Sequence, residues 1–332
     1  MKKIYIVTGA NGFLGNNIVR SLQNEDAEIR CLVLPNDKVN SLEGLKCKVY
    51  YGDVRDYDSL KEIFDVDGDL CVIHTAAIVS ISNKFNPNIY DVNVTGTKNV
   101  VRRVLEHNAK LIYVNSVHAI PVKPNNEPIS EIYDFNPDNV NGVYAKTKAV
   151  AAKYVLGCVK KHNLNATIVQ PSGIIGPNDY ATTHLTNMII QFANKKIKSC
   201  VTGGYSFVDV RDVANIIVKL TKMDKKGECY IISNKSMSIK DIFDIVSDIC
   251  KLNQAKVMPM WLAKLAAPFI EKTYNFKNQL PLFTKYSLYT LEANANFDTS
   301  KAQKELDFVP TDYHKTIEDT IKWLEDNGRI KS

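Results

Sequence analysis

The first half of the chain alternates between short apolar runs and segments with helical spacing. Ile4, Ile6 and Val7 make a strand-forming run, and Gly9-x-x-Gly12-x-x-Gly15 follows at once. Leu14, Ile18, Val19 and Leu22 then fall on one helical face. Further strands are predicted at 28–34, 48–51, 70–77, 110–116 and 166–169, each ended by turn residues or a helix. Helices are predicted through Leu60, Ile63 and Phe64, over 91–107 and over 143–161, with a Pro- and Asn-rich loop at 121–141. Strands apolar on both faces, alternating with helices, predict an α/β fold with a doubly wound parallel sheet. Past 171–177 the rhythm loosens into helical patches near 182–194, 209–222, 238–252 and 257–271, with short strands near 206 and 230. The division expected is a sheet domain over 1–172, with 204–232 returning to it, and a smaller, mostly helical C-terminal lobe over 173–332 shaped for substrate.

In such sheets ligands collect at the carboxyl ends of the strands. Gly9, Asp53, Ala76, Ser116 and Pro171 all fall at strand ends, so one crevice can hold all five. A strand, a glycine turn and a helix together aim helix N–H groups at a phosphate. Gly9 allows the tight turn, Gly12 lets a pyrophosphate approach the backbone, and Gly15 lets the helix sit close on the strand. The spacing is one residue longer than the commonest dinucleotide fingerprint. A turn that merely joins two elements would also carry these glycines.

With 332 residues and 45% hydrophobic content the chain can bury a large core. Its net charge of +6 is spread without a dense Lys/Arg block, which argues against a nucleic-acid partner. Seven scattered cysteines point to reduced thiols, with no disulfide frame and no metal site. The N-terminus enters a strand directly, and no apolar run reaches the ~20 residues of a membrane span. A soluble, cytoplasmic protein with a small-molecule substrate is expected.

Tyr144 and Lys148 lie four residues apart in a predicted helix, hence on one face. An unperturbed phenol, pKa about 10, is a poor acid–base group at neutral pH, and a neighbouring ammonium lowers that value. The hydroxyl of Ser116, at a strand end, can hold the same reacting oxygen. Tyr57 and Lys61 repeat the spacing without a preceding serine and are expected to be a structural surface pair.

The ordered motifs resemble extended short-chain dehydrogenase/reductases. They are Thr8-Gly9-x-x-Gly12-x-x-Gly15, Gly52-Asp53-Val54, His74-Thr75-Ala76-Ala77, Asn93-x-x-Gly96-Thr97, Ser116, Tyr144-x-x-x-Lys148 and Pro171-x-x-x-x-Gly176-Pro177. The resemblance runs on through Phe297–Ala302 and Glu305–Pro310. It implies a Rossmann sheet domain binding NAD or NADP. Tyr144 is then proton donor and acceptor, Lys148 lowers its pKa and holds the nicotinamide ribose, and Ser116 orients the reacting oxygen. Gly9, Asn11, Gly12, Phe13, Leu14, Gly15, Asp53, Val54, Thr75, Ala76, Ala77, Pro171 and Ile174, with Tyr144 and Lys148, would line the cofactor. A homodimer through 91–107 and 143–161 is also a family expectation.

Within the family, sugar-nucleotide dehydratases usually carry Thr-Asp-Glu where this chain has Ser116-Val117-His118. Epimerases usually place a diphosphate-binding Arg where Tyr205 stands and tend to have Asn at the place of Ser172. The segment 171–177 looks instead like the dihydroflavonol-reductase and 3β-hydroxysteroid-dehydrogenase branch, whose substrates are apolar ketones or alcohols. The leading expectation is therefore an oxidoreductase interconverting a ketone or aldehyde and an alcohol. Its rivals are a nucleotide-sugar epimerase with tightly bound NAD and a binding protein without turnover. His118, Ser172 and Tyr205 are candidate substrate contacts, and His74 is expected to pack. The Met- and aromatic-rich stretch 257–270 reads as a core helix, a cover over an apolar ligand or a membrane-surface helix. No acidic residue or Arg ends the second strand; Asp37 could accept from ribose hydroxyls and Lys38 could meet a phosphate, with a slight lean to NAD.

Overall fold

A computed structural model describes residues 2–80, 86–276 and 284–331, and for 269–276 the backbone alone. The first half runs β1 (Lys3–Thr8), α1 (Phe13–Ser21), β2 (Glu28–Val33), β3 (Lys48–Tyr51), α2 (Lys61–Phe64), β4 (Asp69–His74), α3 (Pro87–Tyr90), α4 (Thr97–Glu106), β5 (Lys110–Val114), α5 (Val143–His162) and β6 (Asn165–Pro171). It continues with β7 (Gly173–Ile175), α6 (His184–Ala193), β8 (Ser199–Val201), β9 (Gly204–Asp209), α7 (Val210–Thr221), β10 (Cys229–Ile232), β11 (Ser236–Ser238) and α8 (Ile239–Cys250). The last elements are β12 (Lys256–Met258), α9 (Met260–Phe276), α10 (Lys285–Glu292), α11 (Ser300–Leu306) and α12 (Tyr313–Asp326).

Seven strands form one parallel sheet in the order β10-β6-β5-β4-β1-β2-β3. Strand alternation fills both faces. Ile4 and Ile6 enter one core with Val72, Leu111 and Val155, while Tyr5 and Val7 enter the other with Val19, Ile73 and Val213. Helices cover both faces, so the strands are mostly apolar, with Arg30, His74, Thr167 and Gln170 among the buried polar exceptions. The order reverses between β1 and β4, and a crevice opens at their carboxyl ends.

The predicted helix over 91–107 begins earlier. Asn86 caps α3 by accepting from the Asn88 N–H at 3.0 Å, with Pro87 in the first turn. A π-helical turn, Asp91–Gly96, then joins α3 to α4. The helix near Leu60 is short, a 3-10 turn at Asp58–Leu60 running into α2. The small sheets β11-β9-β7 and β12-β8 contain three-residue strands, too short for a period to register. Among the described residues no helix is long and apolar enough to cross a membrane, and no cluster of His, Cys, Asp and Glu is arranged to hold a metal ion.

Candidate active site

The crevice is a cavity of about 1770 Å³ whose lining runs from the glycine turn, past the end of β5, to helices of the C-terminal region. Gly9 adopts φ +65°, and a Cβ there would stand 2.9 Å from Ala76 Cα. A Cβ on Gly15 would stand 2.1 Å from the Gly9 carbonyl oxygen, so only glycine lets α1 seat this closely on the turn. The start of α1 has no side-chain cap and no acidic residue in its first turn, which leaves its amides open to an anion. The buried Asn115 amide also lines the cavity, with neither Nδ2 nor Oδ1 hydrogen-bonded. A dinucleotide fits this cradle: the open amides would hold its phosphates, and the unpaired Asn115 amide would be free to meet a polar group.

In the loop after β2, Asp37 accepts from Asn11 Nδ2 at 3.1 Å, and both residues line the cavity. Lys38 contributes its carbonyl to the same Asn11 amide at 3.3 Å. Asp53 binds Arg55, whose guanidinium holds the carboxyl below its ordinary pKa. Thr75 Oγ1 donates to the Thr8 carbonyl at 2.7 Å and fixes the loop after β4. His74 is buried between Thr8 Oγ1 at 2.7 Å and Thr97 Oγ1 at 3.1 Å, and burial, with the charge of Lys148, pushes its pKa down to about 3. It packs and positions, away from the chemistry.

Ser116 ends β5 in extended conformation, and its Oγ accepts from the His118 N–H at 3.2 Å. Tyr144 and Lys148 project from the buried face of α5 and are only 8% and 3% exposed. Burial pushes the Tyr144 phenol up to about 12, opposed by its hydrogen bond with Ser116. Lys148 Nζ donates to the Val114 carbonyl at 2.9 Å, and burial brings its pKa down to about 7. The spacing of Tyr144 and Lys148 predicts an ammonium that lowers the phenol's pKa. In this structure desolvation governs both groups, and the ammonium is turned to the backbone. The Tyr57–Lys61 spacing makes no such arrangement, because Tyr57 packs on Arg102 and Arg103 and hydrogen-bonds Glu106.

His118 stacks on Tyr205 with centroids 5.5 Å apart and meets Tyr144 edge-on at 6.0 Å. Its Nε2 lies 3.3 Å from the Tyr205 hydroxyl, and burial pushes its pKa down to about 4. Ser172 accepts from Ser233 Oγ at 2.8 Å. Gly9, Asn11, Gly12, Phe13, Leu14, Gly15, Asp53, Val54, Thr75, Ala76, Ala77, Pro171 and Ile174 line the same cavity as Ser116, His118, Tyr144, Lys148, Ser172 and Tyr205.

Asn93 belongs to a motif but has partners that spacing does not indicate, and the apolar end of the cavity has no signal in the sequence. Asn93, on the π-helical turn, accepts from the Ile78 N–H at 2.8 Å and donates to the Ile78 carbonyl and to Thr147 Oγ1, each at 3.0 Å. It ties the loop after β4 to the residue beside Lys148. Leu185, Met188, Ile197, Phe243, Met258 and Leu291 line the far end of the cavity from four elements and a loop. Only the fold brings them together.

Residues 5–233 match the NAD dependent epimerase/dehydratase family. The chain belongs to that family, the extended short-chain dehydrogenase/reductases. It is an NAD(P)-dependent enzyme. The chain is 29% identical to sterol demethylase protein B of Methylococcus capsulatus, over 98% of this chain and 99% of that one. It is 27% identical to a putative dihydroflavonol 4-reductase of Synechocystis, over 100% and 97%. To a monkeypox virus 3 beta-hydroxysteroid dehydrogenase/Delta 5-->4-isomerase it is 30% identical, over 98% and 99%. The crystal structure of gox2253 superposes with a TM-score of 0.85 at 29% identity, covering 99% of each chain.

Proposed function

We propose that this enzyme interconverts a ketone or aldehyde and an alcohol on a mostly apolar small molecule of steroid or dihydroflavonol type. In this reading residues 1–172, with 204–232, hold the dinucleotide, and the remainder of 173–332 shapes the substrate end. The observation that carries it is the far end of the cavity, where Leu185, Met188, Phe243 and Met258 surround the space beyond Tyr144. Burying apolar surface there contributes roughly 25 cal/mol per Å² of substrate covered. Tyr205 stands where an epimerase places its diphosphate-binding arginine, and Arg211, the next arginine along the chain, pairs with Asp209 at 2.6 Å and Asp319 at 2.7 Å away from the cavity lining. The full-length likeness to reductases and dehydrogenases of apolar substrates supports the same reading.

The bound nicotinamide supplies or accepts the hydride. Ser116 Oγ holds the substrate oxygen beside the Tyr144 hydroxyl. With its pKa pushed up to about 12, Tyr144 is protonated at neutral pH and suited to give its proton to the alkoxide that forms on reduction. The phenolate left behind is the form an adjacent Lys148 cation stabilises, and burial makes that cation cost free energy until such an anion appears. Asp37, at the ribose end of the cavity, would repel a 2′-phosphate, which favours NAD.

The test is a panel of hydroxysteroids, oxosteroids, dihydroflavonols and UDP-sugars, assayed with each dinucleotide by the absorbance of the reduced nicotinamide. Stoichiometric nicotinamide turnover with an apolar member is expected. Net epimerisation of a UDP-sugar without nicotinamide turnover would replace this reading with the epimerase.

A further inference from the structure

We infer that the outer face of α9, with the lysines of the loop before β8 and of β12 beside it, is a peripheral docking surface for an anionic lipid bilayer. Of the twelve large hydrophobic side chains exposed among the described residues, four lie between 257 and 265. Trp261 is 62% exposed, Leu265 64%, Val257 44% and Leu262 39%. The opposite face is spent on the protein, because Ala263 and Ala267 are fully buried against Leu288. Trp261 and Leu265 are one turn apart and Leu262 flanks them, so the three form one outward patch.

The surroundings of the patch are cationic. β8 and β12 pair in parallel, and the Lys256 N–H donates to the Lys198 carbonyl at 3.0 Å, which sets Lys198 and Lys256 side by side. Lys195 and Lys196 are exposed on the same loop, and Lys264 lies on α9 itself, paired with Glu292 at 2.7 Å. A tryptophan and leucines flanked by lysines match an interface where acyl chains lie beneath anionic headgroups. A second copy of this chain would meet the same lysines, so charge complementarity selects the bilayer over self-association.

The patch also borders an opening of the cavity. Lys196 and Lys198 are exposed and line it, and Met258 of β12 and Ala266 of α9 line it as well. A bilayer seated on this face would put its acyl region next to the apolar end of the site. Docking itself does not depend on which substrate the enzyme takes.

The experiment is flotation of the full chain with vesicles of phosphatidylcholine alone and of phosphatidylcholine with a quarter phosphatidylglycerol. Tryptophan emission, and its quenching by lipids brominated in the acyl chains, are read alongside. Flotation with the anionic vesicles, weakened by salt, with quenched, blue-shifted emission is expected. Trp261→Ser/Leu265→Ser and Lys198→Glu/Lys256→Glu should each reduce partitioning by roughly tenfold or more. Absence of flotation and quenching in the wild-type chain would overturn the inference. So would equal binding to neutral vesicles, undiminished binding of Trp261→Ser/Leu265→Ser, or a dimer that this variant abolishes while no vesicle is bound.

Discussion

Replacing Lys148 with methionine should make the dinucleotide-free protein more stable while removing its activity. The ammonium is 3% exposed, its hydrogen-bond partner, the Val114 carbonyl, carries no opposite charge, and burial lowers its pKa from 10.5 to about 7. At about 1.36 kcal/mol per pKa unit, that difference is a penalty on the charged form of roughly 5 kcal/mol at most. Methionine has nearly the same reach and no charge, so the variant should gain roughly 1–4 kcal/mol near neutral pH, as when buried charges give way to apolar groups. The pH dependence carries the sign. Because the folded pKa lies below the unfolded one, the unfolded chain binds more protons between about pH 7 and 10.5. Wild-type stability therefore gains a rising contribution across that window, while below about pH 7 the full penalty is present. Lys148→Met lacks this contribution, so its advantage should shrink as pH rises. Thermal and urea unfolding of both proteins between about pH 6 and 9.5 measures this. A variant less stable than wild type across the range, or a stability difference independent of pH, would refute the reasoning.

Other substitutions test other parts of the account. Gly15→Ala puts a methyl group 2.1 Å from the Gly9 carbonyl, so it should cost roughly 2–4 kcal/mol in unfolding experiments and weaken dinucleotide affinity at least tenfold by titration. Asn93→Ala strips the Ile78 backbone and Thr147 of their partner; about 1–3 kcal/mol of stability should go with it, and KM for the dinucleotide should rise more than the apparent KM for substrate. Glu28, hydrogen-bonded by Lys2, Arg30 and Lys48, has its pKa lowered to about 2. Its stabilisation is present above about pH 4.5 and disappears as pH falls towards 2, so Glu28→Gln should be destabilised by roughly 2–3 kcal/mol at neutral pH and match wild type in acid.

Much of the sheet was legible because local composition and tertiary demand agree. The runs at Ile4–Val7, 28–34 and 110–116 are apolar at most of the positions that a doubly covered strand buries, Arg30 being an exception, and the glycines after β1 stand where φ and close approach require them. The same order of motifs located Ser116, Tyr144 and Lys148, which the fold brings to one cavity wall. What composition could not convey was environment. Proximity suggested that Lys148 would lower the Tyr144 pKa, yet whether a neighbouring ammonium or desolvation governs a phenol depends on burial and on where Nζ points. Asn93 stands out in the motif Asn93-x-x-Gly96-Thr97, but its reach to Ile78 and Thr147 depends on a π-helical turn with no sequence period. The apolar end of the cavity draws on residues from Leu185 to Leu291, and spacing along the chain holds no record of that convergence. Within 257–270, Trp261 and Leu265 face outward while Ala263 and Ala267 pack inward, and the side chains of Phe269 and Ile270 lie outside the described residues.

The central claim is that the Tyr144 hydroxyl moves the substrate's proton while the glycine turn seats the dinucleotide. Tyr144→Phe tests it directly, with dinucleotide affinity followed by nicotinamide fluorescence and single-turnover hydride transfer measured on the same preparation. Affinity within a factor of about three of wild type, with hydride transfer slowed roughly 10²–10⁴-fold, is the predicted result. Undiminished hydride transfer in a variant that still binds the dinucleotide would contradict the account.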